Sequence, residues 1–563
     1  MKTLLLIICA ICNFYVKGQP ARYAIVINEI MADPTPVNGL PPYEYIELKN
    51  TSADTFNLFQ FMIRVGNTTS TFKSYVLLPG DYVIVCATAA VSFFTGLNVI
   101  GLPGFPALDN DGALIQLLST QGDCIHAIEY TKAWYRSVTK SDGGWSLEMI
   151  DATVPCGGSG NWKASVDPEG GTPGYTNSVN AIQPDTTSPR MVRSVTIDSI
   201  TIMAIFDEPL DRKPAELERN YVLNGQPVII KAELNQPLFC NVTLTCSQPM
   251  KTGIVYELEA RSIRDCSGNE IGSFNRSKAG LPISPNTSDL VINELLFNPP
   301  AGGTDFVELF NRSKKIIDLK SVYISGRNAT GQLQLAKPFT TDPFFCFPGD
   351  FIVLSNDPDW LQRHYLVQQP DCIIKHSGMP AFPDESGDVV LLNTNGDILD
   401  EIKYSEKWHF PLLEKNEGVS LERIRVDLPT QDPSNWNSAT YTAGFATPTY
   451  LNSQARATEN STAAFTVIPS FFSPDQDGNE DITMIEYRLP SAGYMGTITV
   501  YDSRGRSVCS LVKNRSLSAH GFFKWNGLNE SGIALPSGIY IVQMEVFDLK
   551  GNRKKFTKAV TLA

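Results

Sequence analysis

Seven residues near the end of the chain, Asp475-Gln476-Asp477-Gly478-Asn479-Glu480-Asp481, have the types and spacing to hold a calcium ion. Calcium takes several hard oxygens, and acidic or amide side chains at alternate positions of a loop that folds at glycine supply them. Asp475, Asp477, Asn479 and Asp481 are therefore the candidate metal ligands. Against this stands the missing end of a full EF-hand loop, because Glu486 falls inside what should be a strand. A solvated turn rich in Asp and Asn is the alternative. Asp109-Asn110-Asp111-Gly112 has similar chemistry in miniature and reads as a hairpin turn, with weak calcium binding as its alternative.

Two pairs of carboxylates, Glu29 with Glu47 and Glu294 with Glu308, could serve glycoside hydrolysis, which needs an acid and a base at fixed separation. Their duplication favours one structural role used twice, hydrogen-bonding a loop backbone between strands. Gly157-Gly158-Ser159-Gly160 only approaches a nucleophile elbow, and nothing in the sequence recommends a free cysteine paired with His126 or His376. The five histidines share no metal-ligand spacing, and no phosphate-cradling loop occurs. No catalytic residue and no cofactor other than calcium is assigned. Trp162 and Trp436 recur in equivalent places, as do Trp134 and Trp408, which favours packing over a sugar-stacking platform.

These residues sit in a chain of 563, enough for about three to five domains. With 41 Gly, 37 Pro and 19% charged residues, the composition suits short strands joined by many turns and excludes a coiled coil. Residues 1–18 read as a cleaved signal peptide: Lys2, an apolar run from Leu4 to Cys12, and Val16-Lys17-Gly18 before Gln19. That run is too short to cross a bilayer, and no other stretch approaches the length required, so no transmembrane segment is expected. Losing Lys2 and Lys17 takes the formal charge from −13 to −15, which argues against a nucleic-acid partner. Nine cysteines remain, and Cys240, Cys246 and Cys266 fall close enough together for a local bridge, with buried free thiols as the alternative.

A repeat organises the chain. Val26-Ile27-Asn28-Glu29-Ile30 returns as Val291-Ile292-Asn293-Glu294-Leu295, and Tyr45-Ile46-Glu47-Leu48 as Phe306-Val307-Glu308-Leu309. Pro79-Gly80-Asp81 returns as Pro348-Gly349-Asp350, Gly144-Trp145-Ser146-Leu147-Glu148 as Gly418-Val419-Ser420-Leu421-Glu422, and Asn161-Trp162 as Asn435-Trp436. Apolar runs of four to seven residues between Pro, Gly, Asn and Asp predict strands of a sandwich. One short helix is expected, over Asp357 to Tyr365, capped by Asp357 or Asp359.

The Val-Ile-Asn-Glu-Ile strand, Glu44-Tyr45-Ile46-Glu47-Leu48-Lys49-Asn50, the Pro-Gly-Asp turn and the closing Asn-Trp with Thr172-Pro173-Gly174 together resemble the bacterial lamin-tail domain. That resemblance implies an immunoglobulin-like sandwich used as an accessory module on exported proteins. The second copy departs with Val419 for Trp145 and with Ala446-Thr447-Pro448-Thr449 for Gly171-Thr172-Pro173-Gly174. Between the copies, Ile200 to Phe206 followed by Asp207-Glu208-Pro209-Leu210-Asp211 resembles the immunoglobulin-like modules of surface-layer proteins.

Phe472-Ser473-Pro474, Trp525-Asn526-Gly527 and Pro536-Ser537-Gly538-Ile539-Tyr540 are similar to the flagellar hook-capping domain, a pattern also used as the C-terminal sorting domain of type IX secretion in Bacteroidetes. From Asp475 to Lys558 there are eleven basic and nine acidic side chains, so this end is near neutral and has a separate task.

The expectation is an all-β chain of four tandem immunoglobulin-like β-sandwich domains after the signal peptide: lamin-tail copies at 19–180 and 288–455, a surface-layer-type module at 186–285, and the sorting domain at 462–563. The function expected is that of a non-catalytic secreted or outer-surface protein with adhesion, binding or spacer modules, addressed by the type IX translocon. Surface polysaccharide or another extracellular ligand is a further partner. The alternatives are a calcium-dependent carbohydrate- or matrix-binding protein and a hydrolase with accessory lamin-tail domains.

Overall fold

The computed structural model describes residues 20–225, 227–456, 463–474, 480–490 and 493–563, with the backbone of Val16–Lys17. The expected signal peptide otherwise lies outside the described residues. The chain is all-β, divided among separate sandwich sheets in two compact units, Met1–Ala279 and Gly280–Ala563. The short apolar runs become strands because Val, Ile, Leu and Tyr suit a pleated surface with one or both faces buried.

In the first unit, residues 25–164 form a six-stranded sheet whose central strands are Ile25–Met31 and Tyr45–Asn50, flanked by Leu147–Met149 on one side and Tyr82–Ala87 on the other. A four-stranded sheet built on Gly112–Leu118 and Cys124–Thr131 faces it across a core that includes Ile27, Leu48, Phe56, Ile115, Tyr130 and Trp162. Trp134 packs against that core, 6.0 Å from Trp162 between ring centroids. Asp109 to Gly112 is a turn leading into a strand, not the hairpin loop expected: Asp111 N donates to Asp109 Oδ1, and the hairpin itself closes at Ser119–Asp123. Gly112 is required there, since a Cβ would lie 2.4 Å from Tyr130 O.

Residues 191–279 add a four-stranded sheet, with Thr201–Phe206 and Asn241–Cys246 at its centre, and a three-stranded sheet around Tyr256–Ala260. Among the contacts that join this part to the preceding sandwich, Arg22 Nη1 donates to Leu210 O at 2.7 Å, Cys124 N donates to Gln236 Oε1 at 2.7 Å, and Cys156 is disulfide-bonded to Cys266. The bridge corrects the local one expected among Cys240, Cys246 and Cys266. Asn241–Cys246 is a central strand with Cys246 buried opposite Ile229, whereas Cys266 lies in a turn beside Pro155, so Cys240 and Cys246 stay free thiols.

The second unit repeats the six-stranded sheet with Leu290–Leu296 and Phe306–Asn311 at its centre, flanked by Leu421–Arg423 and Phe351–Ser355. The expected helix spans Pro358–His364, and Asp357 caps it by accepting from Trp360 N at 3.0 Å. From residue 464 a three-stranded and a five-stranded sheet enclose a core of Phe472, Tyr487, Ile498, Trp525, Tyr540 and Val542. The motif residues of this stretch build that core: Trp525 meets Phe472 and Tyr540, each at 5.4 Å, Trp525 Nε1 donates to Leu528 O, and Tyr540 OH donates to Pro536 O.

The Cys156–Cys266 bridge spans 110 residues and limits the unfolded chain far more than a short loop would. Cys156→Ser should cost about 2–4 kcal/mol, read as a lower urea midpoint under non-reducing conditions and no difference from wild type once both are reduced.

Candidate functional site

The repeated carboxylates form a ladder in each sheet. In strand Ile25–Met31 a bulge between Ile27 and Glu29 removes Asn28 from the pairing and sets Glu29 opposite Glu47 on one side. On the other side Glu29 stands opposite Glu148. The second sheet reproduces this register: a bulge at Asn293, with Glu294 between Glu308 and Glu422. All six glutamates are 0% exposed.

Each ladder is closed by a loop that donates to it. Thr172 N donates to Glu29 Oε1 at 2.9 Å, Thr172 Oγ1 to Glu148 Oε1 at 3.0 Å, and Gly174 N to Glu47 Oε2 at 2.5 Å. Further along, Ser178 Oγ and Val179 N donate to Glu148 Oε2 at 2.8 and 3.0 Å. The bulge residue completes the cage: Asn28 Nδ2 donates to Glu47 Oε1 and to Asn177 Oδ1, while Asn177 Nδ2 returns to Asn28 O and Met149 O.

In the second copy Thr447 N and Oγ1 donate to Glu294 at 2.8 and 3.1 Å, Thr447 Oγ1 reaches Glu422 Oε1 at 2.8 Å, and Thr449 N donates to Glu308 Oε2 at 2.6 Å. Ser453 Oγ and Gln454 N close on Glu422 Oε2, and Asn452 stands where Asn177 does.

Burial disfavours the charged form of Glu29, Glu47, Glu294 and Glu308, and neighbouring carboxylates disfavour it further. Glu29 is raised to about 7 by burial and then by Glu148, and Glu294 to about 8 by burial and then by Glu422. Glu47 and Glu308 are pushed well above the usual carboxylate range by burial and then by Glu29 and Glu294 respectively. Elevated pKa values of this kind can mark a general acid, but a general acid must reach the leaving group of a substrate. These carboxylates are enclosed and hold the return loop instead, the structural role that their duplication suggested.

Other expected positions resolve as follows. Asp475, Asp477 and Asn479 lie outside the described residues, and Asp481 alone of the calcium candidates is described. His126 is buried and lowered to about 4 by that burial, with Nδ1 accepting from Ile27 N at 2.8 Å beside the first bulge. Asp400 takes that place in the second copy, accepting from Ile292 N. Trp162 and Trp436 are core residues, 1% and 4% exposed.

Two features depend on topology that the sequence does not spell out. Glu148 and Glu422 stand inside a repeated block, but only strand pairing shows that they complete the ladders. Asp185, Glu208 and Asp265, far apart in sequence, bring one carboxylate oxygen each within 4.8 Å of the others.

A family model described as Lamin Tail Domain matches residues 19–132. No curated protein matches the chain. Among solved structures, the N-terminal part of the bacterial S-layer protein SbsC is similar at 14% identity over 39% of this chain and 44% of that one, with a TM-score of 0.16. FlgD from P. aeruginosa is similar at 21% identity over 14% of this chain, with a TM-score of 0.13, and PorZ, a surface component of the type IX secretion system of Porphyromonas gingivalis, at 10% over 94%, with a TM-score of 0.16. The chain spans 44% of the SbsC fragment and 62% of FlgD.

Two outcomes follow from the ladders. Thr447→Val should cost about 1–3 kcal/mol in chemical denaturation, because it removes the hydroxyl that lies against both Glu294 Oε2 and Glu422 Oε1. Stability should also fall with rising pH. The folded glutamates bind protons that unfolded ones, near 4.5, have released, so their contribution is full below 4.5 and is lost as pH rises through about 7 and 8. His126 and His409, both lowered to about 4, act in the opposite sense below 6.5. Thermal midpoints should therefore decline between pH 6.5 and 9, as calorimetry can check.

Proposed function

We propose that the chain is a non-catalytic exported protein of the cell surface or medium. Residues 19–180 and 288–455 serve as two lamin-tail modules, 186–285 as an immunoglobulin-like spacer, and 462–563 as the address read by a type IX translocon. The observation that carries the non-catalytic part is the fate of the repeated glutamates: the side chains best suited to acid–base work are spent, in both copies, on fastening a loop.

The lamin-tail reading of the first copy rests on the family match over 19–132, and that of the second on the identical register of its ladder. The sorting role rests on the motif residues after Phe472 and on the charge balance of that stretch. Calcium at Asp475, Asp477, Asn479 and Asp481 belongs to the same proposal, on ligand spacing. Adhesion or spacing is the work left for modules whose carboxylates are committed to structure.

Deleting residues 462–563 in the native host should leave the protein in the periplasm, shielded from protease added to intact cells, while the full chain is cleaved or found in the medium. Export of the truncated chain at the full-length level would refute the sorting role.

A further inference from the structure

In the first unit three acidic side chains converge from separate places: Asp185 in the linker before Pro189, Glu208 in the turn after strand Thr201–Phe206, and Asp265 in the turn that also carries Cys266. Asp265 is 1% exposed and fixed, its Oδ1 accepting from Asn269 N at 2.8 Å and its Oδ2 from Asn269 Nδ2 at 2.7 Å. Asn269 Nδ2 also donates to Asp185 O at 3.2 Å, and Thr187 N donates to Asp185 Oδ1 at 3.0 Å, which holds the linker against the same turn. An antiparallel bridge between Leu210 and Asp265 brings the segment that carries Glu208 beside the Asp265 turn.

The hydrogen bonds stop short of satisfying the cluster. Asp185 Oδ2 and Glu208 Oε1 are sealed from solvent and have no hydrogen-bond partner. Enclosed carboxylate oxygens without a donor are costly, and three carboxylates this close repel one another. Burial raises Glu208 to about 8, and its neighbours Asp265, Asp185 and Asp207 all act in the same direction. A cation among the three relieves both costs at once.

We propose that Asp185, Glu208 and Asp265 bind a calcium ion that pins the linker to the immunoglobulin-like module of the first unit. The donors are carboxylate oxygens alone, which select a hard cation over zinc or copper. Three ligands drawn from three segments suit the variable coordination of calcium better than the strict octahedron of magnesium. The ion and the Cys156–Cys266 disulfide would act on adjacent residues, 265 and 266, so that one turn is anchored twice. This site is distinct from the Asp475–Asp481 loop.

The test is calcium titration of the full mature chain after chelation, followed by calorimetry and by thermal melting, with magnesium as a parallel arm. Wild type should bind calcium and melt higher with it than in chelator. Glu208→Gln and, separately, Asp185→Asn should each weaken this site by about tenfold or more through loss of a charged ligand, whereas Asp477→Asn should leave it intact. In chelator, Glu208→Gln should melt at or above wild type, because the substitution relieves repulsion. Should Glu208→Gln fail to fold, Asp185→Asn in the linker carries the test. Unchanged calcium affinity and stoichiometry in both variants would overturn the proposal, and equal protection by magnesium would overturn the choice of calcium.

Discussion

Three glutamates side by side in a dry sheet are the constraint on which each repeat depends. Without donors they would open the sheet, since desolvation and mutual repulsion both oppose charge there. The donors come from a loop more than a hundred residues away from the first carboxylate, so Glu29 with Thr172 and Glu294 with Thr447 tie the beginning of each module to its end. Strand pairing alone does not do this. Leu147–Met149 and Leu421–Arg423 are only three residues long, and the loop that follows gains its position from the glutamates.

The two copies differ where the constraint allows it, and the differences compensate. Tyr45 OH donates to Glu29 at 2.6 Å in the first copy; Phe306 cannot, and Ser420 Oγ donates to Glu294 instead. Gly174 takes φ +86°, which glycine accepts freely, and Thr449 takes φ +73° at the equivalent place. A threonine there is strained, and its hydroxyl offsets the strain by accepting from Gln368 N and Gln369 N. His126 in one copy becomes Asp400 in the other, where buried Arg423 accompanies it and donates to Ile292 O. What persists through these changes is the set of carboxylates and the loop amides they hold.

Much of this was legible in the sequence. The repeated Asn-Glu and Glu-Leu pairs marked the ladders, and their duplication argued for structure over catalysis. Short apolar runs between Pro and Gly marked the strands, and Asp357 marked the longer of the two α-helices among the described residues. What was not legible depends on topology. Ser-Leu-Glu recurs as a block, yet only the pairing of Glu148 with Glu29 and Glu422 with Glu294 makes it the third rung. Cys156 finds Cys266, and Asp185 finds Glu208 and Asp265, because the fold of the first unit brings turns and a linker distant in sequence together; no local spacing records such a meeting. Asp-Gly usually closes a hairpin, but at Asp109 to Gly112 it precedes the strand.

The central claim is that the glutamate ladders hold the return loops, and hydrogen exchange at those loops measures it directly. The amides of Thr172, Gly174, Thr447 and Thr449 should exchange at pH 6.5 as slowly as those of the central strands. At pH 9 they should lose protection beyond the intrinsic effect of pH, as the carboxylates that hold them ionise and repel. Exchange at the rate of an exposed loop at pH 6.5, with the strands still protected, would contradict the account.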